Sequence, residues 1–470
     1  MTGYEIASIA PEIVLSAAGV LILLLEAFAP ATRRAFTVLA ALATVAAGFA
    51  AATMVQGRSF AGLIEQNEIT IVFTAVVLIS TLLGLLASDG WLRREGLLAG
   101  EYHALFLWCA AGLLFMLRAT ELLTIFVALE TLSLALYALA AFHRRVKMGT
   151  EAALKYFLVG TFASAFILYG IALLYGETGS TMLPAIGERF AAGGLGPLAA
   201  VGVVLVVAGF AFKMSLVPFH AWSPDTYQGA PAPFVGFLSV APKAASALVL
   251  LRMLEAAGGD WGTLVALLSV LSMVAGNLLA LVQKDVKRML AYSGIAHMGY
   301  LLVAFATLTP ASFDAAAVYL LSYALMNAGA FAVVTVLYER AGEQHLISDL
   351  SGWGYRFPWL AAALSISMLS LGGLPPTFGF IGKYVVFLHA VGHGDVWLAV
   401  IGVLTSLIGV FYYLRVVYTL YMRPLSHEPA GTLRDAWGGT AAVLAALATL
   451  LLGVLPGPIL DWVLRSAPGP

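Results

Sequence analysis

The 470-residue chain is 61% hydrophobic and only 10% charged, where soluble domains carry roughly 25% charged residues, so a water-soluble fold is excluded. Its net charge of −1 offers no bulk field to attract nucleic acid. A single cysteine, Cys109, rules out an internal disulfide or an iron–sulfur ligand set, and GxGxxG, Walker and HExxH motifs are absent.

Apolar runs of roughly 20 residues, the length that crosses hydrocarbon as a helix, recur along the chain. Fourteen spans are predicted, near residues 10–28, 35–54, 69–88, 102–117, 121–142, 152–175, 197–217, 232–254, 261–282, 288–308, 313–338, 359–390, 396–420 and 438–456. They leave no room for a soluble domain, so the expected fold is an all-α polytopic membrane protein embedded in the lipid bilayer. Span 1 lacks the charged leader of a signal peptide and carries Glu12 and Glu26, so it is read as a retained helix. These two carboxylates are assigned to contacts with other membrane subunits.

The loops after odd-numbered spans hold fourteen cations: Arg33, Arg34, Arg93, Arg94, Arg144, Arg145, Lys147, Lys284, Lys287, Arg288, Arg340, Arg356, Arg423 and Arg434. The opposite side holds five: Arg58, Arg118, Arg189, Arg252 and Arg465. The positive-inside rule therefore predicts both termini on the face away from the cytoplasm.

Two spans are interrupted by proline. Span 7 runs through Lys213 to Pro218 and His220, and span 12 runs through Pro375 and Pro376 to Lys383. Proline removes a backbone donor and clashes with the preceding turn, so each helix is expected to break beside a lysine, and the freed carbonyls need protein groups or water. One such break alone is as readily a packing kink. Two breaks, each near a lysine and five spans apart, suggest that spans 4–8 and 9–13 are inverted five-helix repeats. The expected units are 1–100 (helices 1–3), 101–256 (helices 4–8), 257–424 (helices 9–13) and 425–470 (helix 14).

Four of the seven lysines, Lys155, Lys213, Lys243 and Lys383, lie within apolar spans, as does Glu130. Such a group costs at least about 2.5 kcal/mol at membrane depth and usually marks a polar interior or ion path. Desolvation disfavours an ammonium and a nearby carboxylate restores it, so a Glu–Lys pair that separates and re-forms is a proton gate. Glu130 has no charged neighbour within eight positions; the bland alternative is a neutral structural carboxyl. For Lys213 and Lys243 it is a structural ion pair. Lys155 lies four residues after Glu151, where an ion pair or snorkelling competes with relay. Lys383 is assigned to relay. His220 and His297 suit proton exchange near neutrality, with packing or hydrogen bonding equally open. Gly160 and Gly170 are read as sites of close helix packing.

The segments Phe212-Lys-Met-Ser-Leu-Val-Pro-Phe-His to Pro231, Gln283-Lys-Asp-Val-Lys-Arg to Tyr300, and Gly373-Leu-Pro-Pro-Thr-Phe-Gly-Phe-Ile-Gly-Lys resemble the antiporter-like membrane subunits of respiratory complex I. The resemblance covers nearly the whole chain. It implies fourteen helices, inverted repeats with discontinuous helices 7 and 12, and a hydrated axis of charge. Glu130 and Lys213 match the family's pair on helices 5 and 7, Lys243 its central lysine, Lys383 its helix 12 lysine and Lys155 its helix 6 lysine. Lysine rather than glutamate at 383 argues against the M type of subunit, and an end soon after span 14 against the L type. The implied function is proton translocation driven by redox chemistry elsewhere, with NAD, FMN, iron–sulfur clusters and quinone on other subunits and no cofactor in this chain. The implied setting is a bacterial inner membrane, beside other membrane subunits that include neighbouring antiporter-like ones. The alternatives are a subunit of a multisubunit sodium/proton antiporter and a purely structural spacer, the latter disfavoured by the buried charges.

Overall fold

The computed structural model describes residues 3–338, 345–425 and 435–464, so Arg340, Arg434 and Arg465 lie outside the described residues. Within hydrocarbon, every backbone donor and acceptor must be satisfied inside the segment, which makes each apolar run a helix. Among the described residues twelve helices are long and apolar enough to cross a membrane. The other two predicted spans are also helical. Span 10 is Val286–Val303, with Lys287 and Arg288 in its first turn, and span 12 is divided into Pro358–Gly372 and Phe378–Gly392.

Side-chain caps define several helix starts. Asn67 and Thr70 exchange hydrogen bonds in a capping box at Glu68–Arg94, which is span 3, and Asp285 accepts from the Arg288 backbone at the start of span 10. Each cap satisfies donors that a helix N-terminus leaves open. One short antiparallel hairpin, Gly57–Ser59 with Ile64–Gln66, interrupts the helical pattern between spans 2 and 3.

The centre is made by span 8 and by span 11, Pro310–Leu337. Their most apolar stretches are 100% buried, against 28% for span 1 and 33% for span 14. Span 11 packs on spans 3, 12 and 14 and on the first part of span 8. The outer spans keep one apolar face exposed, as expected of surfaces that meet lipid or another subunit.

Both predicted breaks are present and are closed in the same way. Span 7, Pro197–Met214, ends on Ser215 with φ 62°, and the first half of span 12 ends on Gly373 with φ 78°. At the first, Ser215 N–H donates to Phe212 O (2.9 Å) and Leu216 N–H to Ala211 O (2.8 Å). At the second, Gly373 N–H donates to Ser370 O (2.9 Å) and Leu374 N–H to Leu369 O (3.1 Å). This is the Schellman pattern, which consumes two of the carbonyls a helix end leaves open. A third break, which the sequence did not suggest, divides span 8 into Ala232–Leu238 and Ala241–Ala257. There Asn327 of span 11 donates from Nδ2 to Ser239 Oγ at 2.6 Å.

Glycine packing follows expectation. A Cβ on Gly170 would lie 2.7 Å from Gly202 O, and one on Gly202 would lie 2.9 Å from Gly170 O, so spans 6 and 7 touch backbone to backbone.

The assignment of Glu12 and Glu26 to other subunits is corrected. Glu12 forms an ion pair with Arg118 at 3.2 Å, with side chains 1% and 2% exposed, and Arg118 Nη2 also donates to Ser8 O at 2.5 Å. Glu26 forms an ion pair with Arg33 and accepts from Gly100 N–H at 3.1 Å. A carboxylate inside a membrane protein is costly unless it has a partner, and each of these two has its partners within this chain. Arg118 and Lys287, counted as loop cations, are likewise buried, and Arg252 lies within the helix Ala241–Ala257. Removing them from the tally leaves the bias in place.

The two left-handed caps predict opposite mutational signs. Ser215→Gly should stabilise by about 1 kcal/mol, because glycine alone adopts positive φ without steric cost. Gly373→Ala should destabilise by at least as much, since its Cβ would also meet Lys383 Cδ at 2.8 Å. Half-unfolding temperatures of the detergent-extracted protein should rise for the first and fall for the second.

Candidate functional site

Lys213 stands in the last turn of span 7 and is 4% exposed. Its Nζ donates to Ser133 Oγ of span 5, Leu122–Ala140, at 2.8 Å and lies 5.8 Å from the Tyr137 ring centre. Glu130 is one turn before Ser133 on the same helix, and its Oε1 accepts from Ser164 Oγ of span 6, Lys147–Thr178, at 2.5 Å. No ion pair among the described residues joins Glu130 to Lys213. The two predicted partners are near neighbours, each held by a serine. Beyond the break, Trp222 Nε1 donates to the Phe212 carbonyl at 3.0 Å, a second hydrogen bond on an oxygen that already accepts from Ser215 N–H.

Lys243 occupies the first turn after the third break and is 1% exposed. Its Nζ has no hydrogen-bond partner among the described residues and faces the Tyr227 ring at 5.6 Å, a cation–π arrangement. Gly294 of span 10 lies against it: a Cβ there would be 3.3 Å from Lys243 Nζ and 3.0 Å from Tyr323 OH. His297, one turn on, contacts the Tyr319 hydroxyl through Nδ1 at 2.6 Å and the Tyr413 hydroxyl through Nε2 at 3.2 Å. Its ring also packs on Tyr323 and Tyr300, with centroids 5.1 and 5.7 Å away.

Lys383 is 6% exposed. Its Nζ donates to Leu371 O (2.9 Å), Gly372 O (3.2 Å) and Ser406 Oγ (2.7 Å) and lies 4.9 Å from the Tyr300 ring centre. The break thus supplies carbonyls to an ammonium, a favourable pairing at the negative end of a helix.

These contacts form one connected line. From Lys213 it passes Tyr137, Tyr156, Trp222 and Tyr227, with ring centroids 4.8, 4.6 and 6.4 Å apart in turn, and reaches Lys243. From there Tyr323, His297 and Tyr300 lead to Lys383. The second half of the line carries hydroxyl and imidazole groups that exchange protons.

Two predicted site residues stand off this line. Lys155 is half exposed and bridges Glu151 and Asp225, each at 2.9 Å, while Arg288 takes the other Asp225 oxygen at 2.7 Å. The ion pair with Glu151 is therefore present, within a larger network. His220 lies half-buried between the halves of the span 7 break, its Nδ1 without a hydrogen-bond partner among the described residues. The sequence pattern singled out neither Ser133, Ser164, Ser406 nor buried Lys287, whose Nζ donates to Ala230 O at 2.7 Å. For Ser133 a signal existed, since three residues after Glu130 on a helix is the same face.

A cavity of about 700 Å³ lies away from the lysines, lined in part by Glu65, Glu68, Arg252, Glu255 and Phe313. No group of three or more His, Cys, Asp or Glu among the described residues is arranged to hold a metal ion.

The family model described as NADH:quinone oxidoreductase/Mrp antiporter, transmembrane, matches residues 119–409. The chain is 40% identical over 467 residues to NADH-quinone oxidoreductase subunit N of Trichlorobacter lovleyi, covering 97% of this chain and 96% of the relative. Among solved structures it is similar to a chain of respiratory complex I from Thermus thermophilus, with 37% identity, TM-score 0.82, and 97% and 98% of the two chains covered. A chain of the Mrp complex from Dietzia sp. DQ12-45-1b shares the fold at 21% identity and TM-score 0.83, with 98% and 96% covered.

Proposed function

The chain belongs to the NADH:quinone oxidoreductase/Mrp antiporter membrane family, and from that premise we propose that it is a proton-translocating membrane subunit of an NADH:quinone oxidoreductase, of the subunit N type. The observation that carries this reading is the buried line from Glu130 and Lys213 through Lys243 and His297 to Lys383. Three ammonium groups and a carboxylate inside a bilayer are too costly to be kept as filling. Redox energy released on other subunits would separate and re-form the Glu130–Lys213 pair, and each change of partner would favour release or uptake of a proton at the lysine. Lys155 and His220 are proposed as inlet groups rather than members of the line, since both lie at the more exposed margins.

The chain's own part in this scheme is to hold and pass protons. NAD, FMN, iron–sulfur clusters and quinone are assigned to other subunits, and the partners are the other membrane subunits of the complex. The sodium/proton antiporter alternative has a shared fold behind it at 21% identity, whereas the oxidoreductase reading has 40% identity over nearly the full chain. Spans 4–8 and 9–13 are proposed as inverted repeats, a reading supported by the matched closures at Ser215 and Gly373.

The protein is a multi-pass membrane protein. Its proposed site is the bacterial inner membrane with both termini outside, on the strength of the cation bias. In right-side-out vesicles a thiol introduced near the C-terminus should react with an impermeant maleimide, and one introduced within residues 143–150 should not. Native Cys109 is buried and gives no background. The opposite labelling would reverse the orientation.

In assembled complex, Lys213→Ala should lower NADH-driven proton pumping by about tenfold or more, as a loss of about 1.4 kcal/mol or more at the limiting barrier would. Lys213→Arg should fare little better, because guanidinium does not deprotonate in proteins. Glu130→Gln should be a weaker version of Lys213→Ala. Pumping at the wild-type rate in assembled Glu130→Gln complex would remove the pair from the mechanism.

Lys243→Met separates relay from structure. As a relay, its loss should leave assembly intact and lower turnover, since removing a buried charge also removes a desolvation cost. As a structural cation packed on the Tyr227 ring, its loss should loosen that packing and harm assembly at least as much. Native-gel assembly and proton uptake measured on one membrane preparation distinguish the two.

A further inference from the structure

Glu130 and Lys213 each touch a hydroxyl that the proposed relay has not used, Ser164 and Ser133 in turn. We infer that Ser133 and Ser164 are positioning residues that hold this pair apart, each giving one charge a neutral partner in place of the other. The inference rests on the reading of Glu130 and Lys213 as the relay pair.

Separating a buried ion pair strands two charges, and breaking such a pair is strongly unfavourable unless each finds a substitute. A hydroxyl both donates and accepts, so one residue type serves an ammonium and a carboxylate alike. Ser133 Oγ accepts from Lys213 Nζ at 2.8 Å while donating to Leu129 O at 2.5 Å. Ser164 Oγ lies 2.5 Å from Glu130 Oε1 and 3.2 Å from Gly160 O, and has one proton to give.

The consequence is that neither serine is stranded when the pair closes. Ser164 turns back to Gly160 O, one turn earlier on its own helix, and Ser133 keeps its bond to Leu129 O. Ser133 follows Glu130 by three residues, where side chains on a helix face each other with Cβ atoms roughly 5–6 Å apart. A rotamer change of Lys213 therefore suffices to exchange hydroxyl for carboxylate. Serines that only bond back to their own helix are common in apolar helices. These two also touch the charges, and both are buried, Ser133 at 0% and Ser164 at 5% exposed.

The test uses intact complex carrying Ser133→Ala, Ser164→Ala, Ser133→Thr and Ser164→Thr, each also in the Glu130→Gln background, with assembly checked on native gels. Without its hydroxyl the pair should stay closed, and proton pumping should fall about tenfold in each alanine variant, the factor that about 1.4 kcal/mol produces. The threonine variants, which keep a hydroxyl, should restore most of it. In the Glu130→Gln background Ser133→Ala should bring no further loss, because no carboxylate remains for Lys213 to close on.

Equal losses with and without Glu130, no loss at all, or assembled threonine variants as impaired as alanine would each overturn the inference. If one alanine variant fails to assemble, the other serine carries the same prediction. Wild-type pumping by Glu130→Gln alone would instead remove the relay reading, whereas impaired Glu130→Gln with normal serine variants would remove only the positioning role.

Discussion

At the end of the helix Pro358–Gly372 two liabilities of a membrane interior cancel. The carbonyls of Leu371 and Gly372 have lost their helical donors, and the Lys383 ammonium has lost its water; at 2.9 and 3.2 Å they satisfy one another. Neither would be tolerable alone, since open backbone groups and unpaired charges are both costly in hydrocarbon. Several other buried groups obey the same requirement. Glu12 needs Arg118, Glu130 needs Ser164, Lys213 needs Ser133, and the carbonyl of Phe212 takes a hydrogen bond from Trp222.

The three axial lysines differ in how far they meet this requirement. Lys383 lies past its break and reaches back to the carbonyl end of the preceding helix, whereas Lys213 lies before its break, in a helix's last turn. Both stand where the helix macrodipole favours a cation. Lys243 stands in a first turn, with an aromatic face and no acceptor among the described residues, where the dipole gives an ammonium no help. The line thus alternates between well-held and poorly held cation sites, which is what the proposed path, having both to load and to unload protons, requires.

Much of this was legible in the sequence, because in a membrane the cost of exceptions makes them visible. Fourteen apolar runs gave the helices, and prolines beside lysines gave two of the breaks. Glu130, Lys213, Lys243 and Lys383 stood out through the absence of charged neighbours. The third break, at Ser239 and Val240, was not legible. Pro242 stands in the first turn of the following helix, a position where proline is at home, so it signalled a start only once the structure showed the turn before it. The partners of Glu12 and Glu26 were hidden for another reason. Arg118 is far from Glu12 in sequence, and pairing across that distance is set by tertiary packing. The serines escaped notice because hydroxyls in apolar helices usually bond to their own backbone, and only geometry shows which also reach a charge.

Spans 8 and 14 have the same mean hydropathy, 1.8, yet the apolar stretch of one is 100% buried in protein and that of the other 33%. Machinery that sorts segments into a bilayer by hydropathy would treat them alike. What separates them is volume. An added methylene on the outer face of span 14 displaces a fluid lipid tail, but in span 8 it meets neighbours packed as closely as an organic crystal. Genetic variation in the two should therefore differ in kind: exchanges among large and small apolar residues would accumulate in the outer helix, while the inner one would resist changes of size even when polarity is kept.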